Sequence, residues 1–117
     1  YLLIPDVLEH QNNPVEFLSG FARRFKGVAT EIVITVPNGL AQETFQMAQK
    51  NVESINSDHR FWFTPYTLAK VITEAGLTVK EIRTCRSGTI KPWTWLKNRY
   101  FAKRPLIRNS LVAIVGW

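Results

Sequence analysis

The strongest constraint on this chain is the way short β-branched runs alternate with amphipathic helical stretches along its length. Tyr1-Leu2-Leu3-Ile4 opens it as an apolar strand ended by Pro5 and Asp6. Glu31-Ile32-Val33-Ile34-Thr35-Val36 is a second strand, closed by Pro37-Asn38-Gly39. Between them Asn13 stands as an N-cap, with Pro14 at the first helical position and Glu16 three residues after the cap. Val15, Leu18, Phe21, Ala22 and Phe25 follow at spacings of three and four, and that stripe ends before Gly27. Residues 40–55 predict a second helix with Ala41, Phe45, Ala48, Val52 and Ile55 on one stripe. Thr64 and Pro65 open a third, which turns Leu68, Val71, Ile72 and Ala75 one way and stops at Gly76. Leu77 to Thr84 and Ser110 to Val115 are the remaining strands. This alternation predicts an α/β layered sheet. The last two strands lack an ordinary crossover helix, so they are expected to run antiparallel.

At 117 residues and 45% hydrophobic composition the chain reads as one packed domain. No apolar run reaches a membrane span, and no signal-peptide pattern opens the sequence. Cys85 is the only cysteine, which excludes an internal disulfide and a thiolate zinc cluster. A reducing, cytoplasmic setting is the expectation. The net charge of +6 is unevenly placed. Residues 80–108 hold nine of the fifteen Lys and Arg against a single acid, Glu81.

In open α/β sheets ligands bind beyond the carboxyl ends of the strands. Asp6, Glu9 and His10 follow the first strand at i, i+3, i+4 spacing, which puts three side chains on one face if the segment makes a helical turn. Oxygen and nitrogen ligands of this kind suit Mg²⁺, Mn²⁺ or Fe²⁺. The alternative is that Glu9 and His10 cap and solvate the following helix. His59 lies in Asn56-Ser57-Asp58-His59-Arg60-Phe61-Trp62-Phe63-Thr64-Pro65-Tyr66, whose dense aromatics form either a lid over a ligand or a plug that anchors the loop.

Asp-Val-Leu-Glu-His with Asn-Pro and an amphipathic helix, then Ile-Val-Ile-Thr-Val-Pro-Asn, then Asp-His-Arg-Phe-Trp-Phe-Thr-Pro-Tyr-Thr-Leu and Glu-Ala-Gly-Leu, together resemble the C-terminal half of class I S-adenosylmethionine-dependent methyltransferases. The likeness is to the branch with Glu-His after the fourth strand and Asp-His before the next helix, and it covers about residues 1–84. It implies a Rossmann-like sheet with helices on both faces. Residues 1–117 would supply strands 4 to 7, the last two as an antiparallel pair, with a basic, Trp-rich insertion at about 87–109. The family's glycine-rich loop and ribose-binding acid would lie before Tyr1, so the N-terminal cofactor-binding half is absent. The chain reads as a fragment, expected to bind S-adenosylmethionine weakly and to be inactive alone.

The resemblance also implies roles. Ile4, Pro5 and Asp6 would line the methionine side of the cofactor. Asn38 would face the acceptor, and Phe61, Trp62 and Tyr66 would wall it. Small-RNA 2′-O-methyltransferases hold a divalent metal through a Glu, a Glu-His pair and a later His, matched here by Asp6, Glu9, His10 and His59. Asp6 is one methylene shorter than the family's Glu. Alternatively His59 or His10 acts as general base. The implied reaction is methyl transfer to a hydroxyl or another nucleophile of a small-molecule acceptor.

In the basic excursion Trp93, Trp95, Tyr100 and Phe101 interleave with Lys91, Lys97, Arg99, Lys103 and Arg104. Residues 91–104 are expected either to contact RNA or an anionic membrane, or to cover the sheet as a helix with solvated cations. The competing function is therefore a non-catalytic binding module for RNA, membrane or a partner chain. The first strand, without a neighbour on its outer side, predicts self-association through residues 1–4.

Overall fold

The computed structural model describes residues 1–54, 56–86 and 95–117. Expectations placed on Ile55, Lys91 and Trp93, and on the side chains of Trp95 and Lys97, lie outside the described residues. Four strands, β1 (Leu2–Pro5), β2 (Ile32–Pro37), β3 (Thr78–Cys85) and β4 (Ser110–Gly116), form one sheet in the order β1-β2-β4-β3. β1 and β2 are parallel, and β4 runs antiparallel to both β2 and β3. The final strand therefore slots between two others, and it is antiparallel on both sides.

Helix α1 (Pro14–Phe25) starts where the cap chemistry places it, with Asn13 Oδ1 accepting from the Glu16 amide at 3.1 Å. Helix α3 (Pro65–Glu74) has a reciprocal cap, in which the Thr67 amide donates to Thr64 Oγ1 and the Thr64 amide to Thr67 Oγ1. It ends where Gly76 turns left-handed, φ +80. α1 and α3 lie together, joined by a bond from Ser19 Oγ to the Ala75 carbonyl.

Their buried Leu18, Leu68 and Ile72 meet Ile32, Ile34 and Val36 of β2 and Leu111, Ala113 and Val115 of β4 in one core. Each of these Leu, Ile and Val side chains contributes about 1.5–3 kcal/mol when fully buried. Strand alternation sends the intervening residues to the opposite face. There Leu3, Val33 and Ile114 align across β1, β2 and β4; Leu3 is exposed and the other two are half-buried.

Helix α2 (Gln42–Ala48) is shorter than the expected 40–55 and has no buried residue. Its Phe45 is exposed, as is Val52 beyond it, and of the described residues of the expected stripe only Ala41 is buried. Asn51 adopts φ +56, which ends the helical path. Helix α4 (Trp95–Lys103) precedes a 3-10 turn at Pro105–Ile107. Arg108 ties this arm down, donating Nε to the Phe101 carbonyl and Nη1 to the Thr84 carbonyl of β3. Among the described residues no helix is long and apolar enough to cross a membrane.

Candidate metal and catalytic centre

β1 ends in a left-handed turn at Asp6, φ +49, after which Leu8–His10 makes a single 3-10 turn. Leu8 is fully buried and anchors that turn in the core. The Glu9 carbonyl accepts from the amides of Arg60 and Phe61 at 2.7 and 3.2 Å, which locks the loop 56–63 onto the turn. On its other side the loop is held by the Gly39 amide, which donates to the Phe63 carbonyl at 2.7 Å. Two strand ends thus grip one loop.

This grip brings Glu9, His10 and His59 together, with one ligand atom from each within 4.8 Å of the others. Glu9 is 1% exposed, and neither carboxylate oxygen has a hydrogen-bond partner. Burial pushes its carboxyl above the ordinary range and the Asp6 charge adds to this, while its own backbone amide, and then His10 and His59, act in the opposite sense. His10 places Nδ1 3.0 Å from the Asp58 carbonyl, so that nitrogen carries the proton and Nε2 keeps its lone pair, 3.9 Å from Glu9 Oε1. Asn56 Oδ1 accepts from the Asp58 amide, which orients its Nδ2 to donate to His59 Nε2 at 3.2 Å. His59 Nδ1 is then the protonated nitrogen, and it is buried without a partner. Asn56 and Asp58 are the residues that sequence reasoning missed as positioning groups; the signal was the Asn-Ser-Asp run, a composition typical of Asx turns.

An orphaned buried carboxylate beside two imidazoles fits a cation of the oxygen- and nitrogen-binding kind. Glu9 and His10 Nε2 fit as they stand, and His59 would bind through Nδ1 in the neutral tautomer that carries its proton on Nε2. Asp6 stays outside this group. Its carboxylate is exposed, and Oδ1 accepts from Thr35 Oγ1 at 3.1 Å.

The other expected site residues are divided. The Ile4 side chain is buried in the core and cannot line an open cofactor pocket, whereas Pro5 and Asp6 are exposed at the strand end. Asn38 is buried and its amide is fully engaged, with Nδ2 donating to the carbonyls of Leu106 and Arg108 and Oδ1 accepting from the Leu40 amide. Its backbone amide also donates to the Asn109 carbonyl. Asn38 therefore holds the α4 arm to the end of β2 and does not face an acceptor. Phe61 and Trp62 are partly exposed, and Tyr66 is exposed on α3. The Trp62 ring stands edge-on to His59 at 5.9 Å. Trp62 also lines a cleft of about 550 Å³ that reaches Gly39, α2 and Ser54.

A partial Rossmann-like sheet with this strand order has the fold of class I S-adenosylmethionine-dependent methyltransferases. Over 97% of its length the chain matches the crystal structure of the small RNA methyltransferase HEN1, with TM-score 0.64 and 18% identity. Over 98% it matches a SAM dependent methyltransferase from Archaeoglobus fulgidus, with TM-score 0.56 and 18% identity. The chain spans 13% of the first protein and 57% of the second. Neither a protein-family model nor a curated protein matches the sequence.

Proposed function

We propose that this chain is the acceptor-side part of an S-adenosylmethionine-dependent methyltransferase that methylates a hydroxyl of a small-molecule acceptor. The observation that carries the reading is the meeting of Glu9, His10 and His59 beyond the carboxyl end of β1, with buried polar atoms left unpaired. S-adenosylmethionine, when bound, supplies a methyl carbon on a positively charged sulfur. A divalent cation held by the three side chains would supply charge that acidifies the acceptor hydroxyl.

The chain's own residues do the rest. Glu9 concentrates negative charge at the end of β1, and Asp58 and Asn56 fix the two imidazoles in place. Where no cation occupies the three side chains, His10 Nε2 keeps its lone pair and would instead take the hydroxyl proton as general base. The acceptor oxygen would take the methyl from the bound cofactor, whose sulfur would keep the bonding pair as a neutral thioether. Trp62 and Phe61 would wall the acceptor.

A second reading, a non-catalytic module for RNA, membrane or a partner chain, draws on the α4 arm. Arg99, Lys103 and Arg104 are exposed there, with Arg104 stacked on Tyr100 at 4.4 Å. RNA or vesicle affinity that falls steeply with salt, without methyl transfer, would favour it.

The test is transfer of labelled methyl to hydroxyl acceptors by the intact protein carrying this segment. His59→Ala and His10→Ala are each expected to lower turnover about 100-fold. Added Mn²⁺ should raise the wild-type rate and a chelator should abolish it. Full activity in both variants and in chelator would contradict the assignment.

A further inference from the structure

The cleft beside Trp62 has a composition that restricts what it can hold. Gly39, Thr44, Ala48, Asn51, Val52, Glu53, Ser54 and Trp62 line it. Its volume of about 550 Å³ lies within the range of small-molecule sites. Trp62 is 38% exposed and offers an indole surface, while Ala48 and Val52 supply aliphatic wall. Thr44, Asn51 and Ser54 carry neutral hydrogen-bonding groups that make no side-chain bond among the described residues. Among the described residues no Lys or Arg lines the cleft, and the charged group that does is the carboxylate of Glu53. Gly39 lets Trp62 lie close to the β2 turn, since a Cβ there would sit 3.3 Å from the Phe63 carbonyl oxygen and 3.5 Å from Trp62 Cβ.

We infer that this cleft binds an uncharged planar heterocycle, stacked on Trp62 with its polar rim toward Thr44, Asn51 and Ser54. Indole-on-ring stacking provides affinity without demanding one ring identity. Glu53, with no cation beside it among the described lining residues, disfavours phosphate or carboxylate inside the cleft. That this ring belongs to the methyl acceptor rests on the function proposed above. The ring lies next to the site because Trp62 touches His59 on one side and the cleft on the other.

The test needs neither S-adenosylmethionine nor turnover. Uridine, adenosine, indole and benzimidazole are titrated into the ¹⁵N-labelled 117-residue chain, alongside uridine 5′-monophosphate and indole carboxylate. The neutral rings are expected to shift the Trp62 indole and Asn51 signals. Indole carboxylate should bind about fivefold more weakly, the effect of one like charge met at close range in water, and the more highly charged uridine 5′-monophosphate more weakly still. Glu53→Gln should remove that gap, and Trp62→Ala should abolish the shifts while Trp62→Phe retains part of them. No shift at Trp62 from any neutral ring, or equal binding of the anions, overturns the inference. Added Mn²⁺ then separates the two proposals. Broadening of the bound ring that Glu9→Gln removes supports a shared site, whereas ring binding without broadening leaves the cleft standing and counts against the metal.

Discussion

At the residue scale, Glu9 and Asn38 show how a side chain's surroundings decide its role. Both are almost wholly buried, yet every polar atom of the Asn38 amide is bonded whereas the Glu9 oxygens are orphaned. A satisfied buried amide organises structure, and an unsatisfied buried carboxylate asks for a ligand. Asn38→Ala strands two carbonyls and one amide, and is expected to destabilise the fold by about 2–4 kcal/mol, read as a lowered urea midpoint. An unchanged midpoint would show that the α4 arm is held by other contacts. The i, i+3, i+4 spacing found two of the three clustered residues in the first loop but also included Asp6. It did so because the spacing argument assumes continuous helix, and the left-handed turn at Asp6 breaks that continuity before Leu8. Asn38 was misread because its position at a strand end says nothing about what folds over it. The covering carbonyls lie 68 and 70 residues further along the chain.

At the element scale, the helices with both a cap and a buried stripe were legible, and the one without was not. α1 and α3 start at Asn13 and Thr64 as their local chemistry dictates. α2 has apolar residues at helical spacing but nothing to bury them against, so periodicity overstated its length. β3 carries a device that no sequence pattern announced. Its register shifts between Val79 and Glu81, and Lys80 passes over Gly116 of β4 to reach Glu31 at the start of β2. A Cβ on Gly116 would come within 2.8 Å of the Lys80 stem, so glycine keeps the path open. The hydrogen bond from Lys80 holds the Glu31 carboxyl below its ordinary range. A lowered native pKa contributes stability above the ordinary carboxylate value that is lost as pH falls through the lowered one. Lys80→Met should therefore lower the denaturation midpoint at about pH 6, and the difference from wild type should vanish in acid. A difference that persists in acid would mean the lysine acts through packing.

At the scale of the whole molecule, the two sheet edges differ in character. The β3 edge bears Lys80, Glu81 and Arg83, the kind of charge that discourages pairing with another strand. The β1 edge presents Tyr1 and Leu3, at 77% and 68% exposure, next to the half-buried Val33 and Ile114. Self-association of this chain through β1 is the outcome predicted from that edge. Sedimentation of the 117-residue chain should show concentration-dependent dimers or larger species, reduced in Leu3→Lys. A monodisperse wild-type monomer would refute it. The strand order was legible only as an antiparallel final pair, because strand patterns fix direction and burial but not which neighbour a strand joins. Insertion of β4 between β2 and β3 is a long-range choice, made by the match of its alternating face to both partners.

The proposed function needs Glu9, His10 and His59 to act as one centre, and the most direct measurement is Mn²⁺ binding to the chain by electron paramagnetic resonance. One site is expected, lost or weakened about 10- to 100-fold in Glu9→Gln and His59→Ala and unaffected by Tyr66→Ala. Glu9→Gln should also remain folded, and be no less stable than wild type in chelator, because it removes a buried unpaired charge. Binding that is absent in the wild type, or equal in all of these proteins, would contradict the centre.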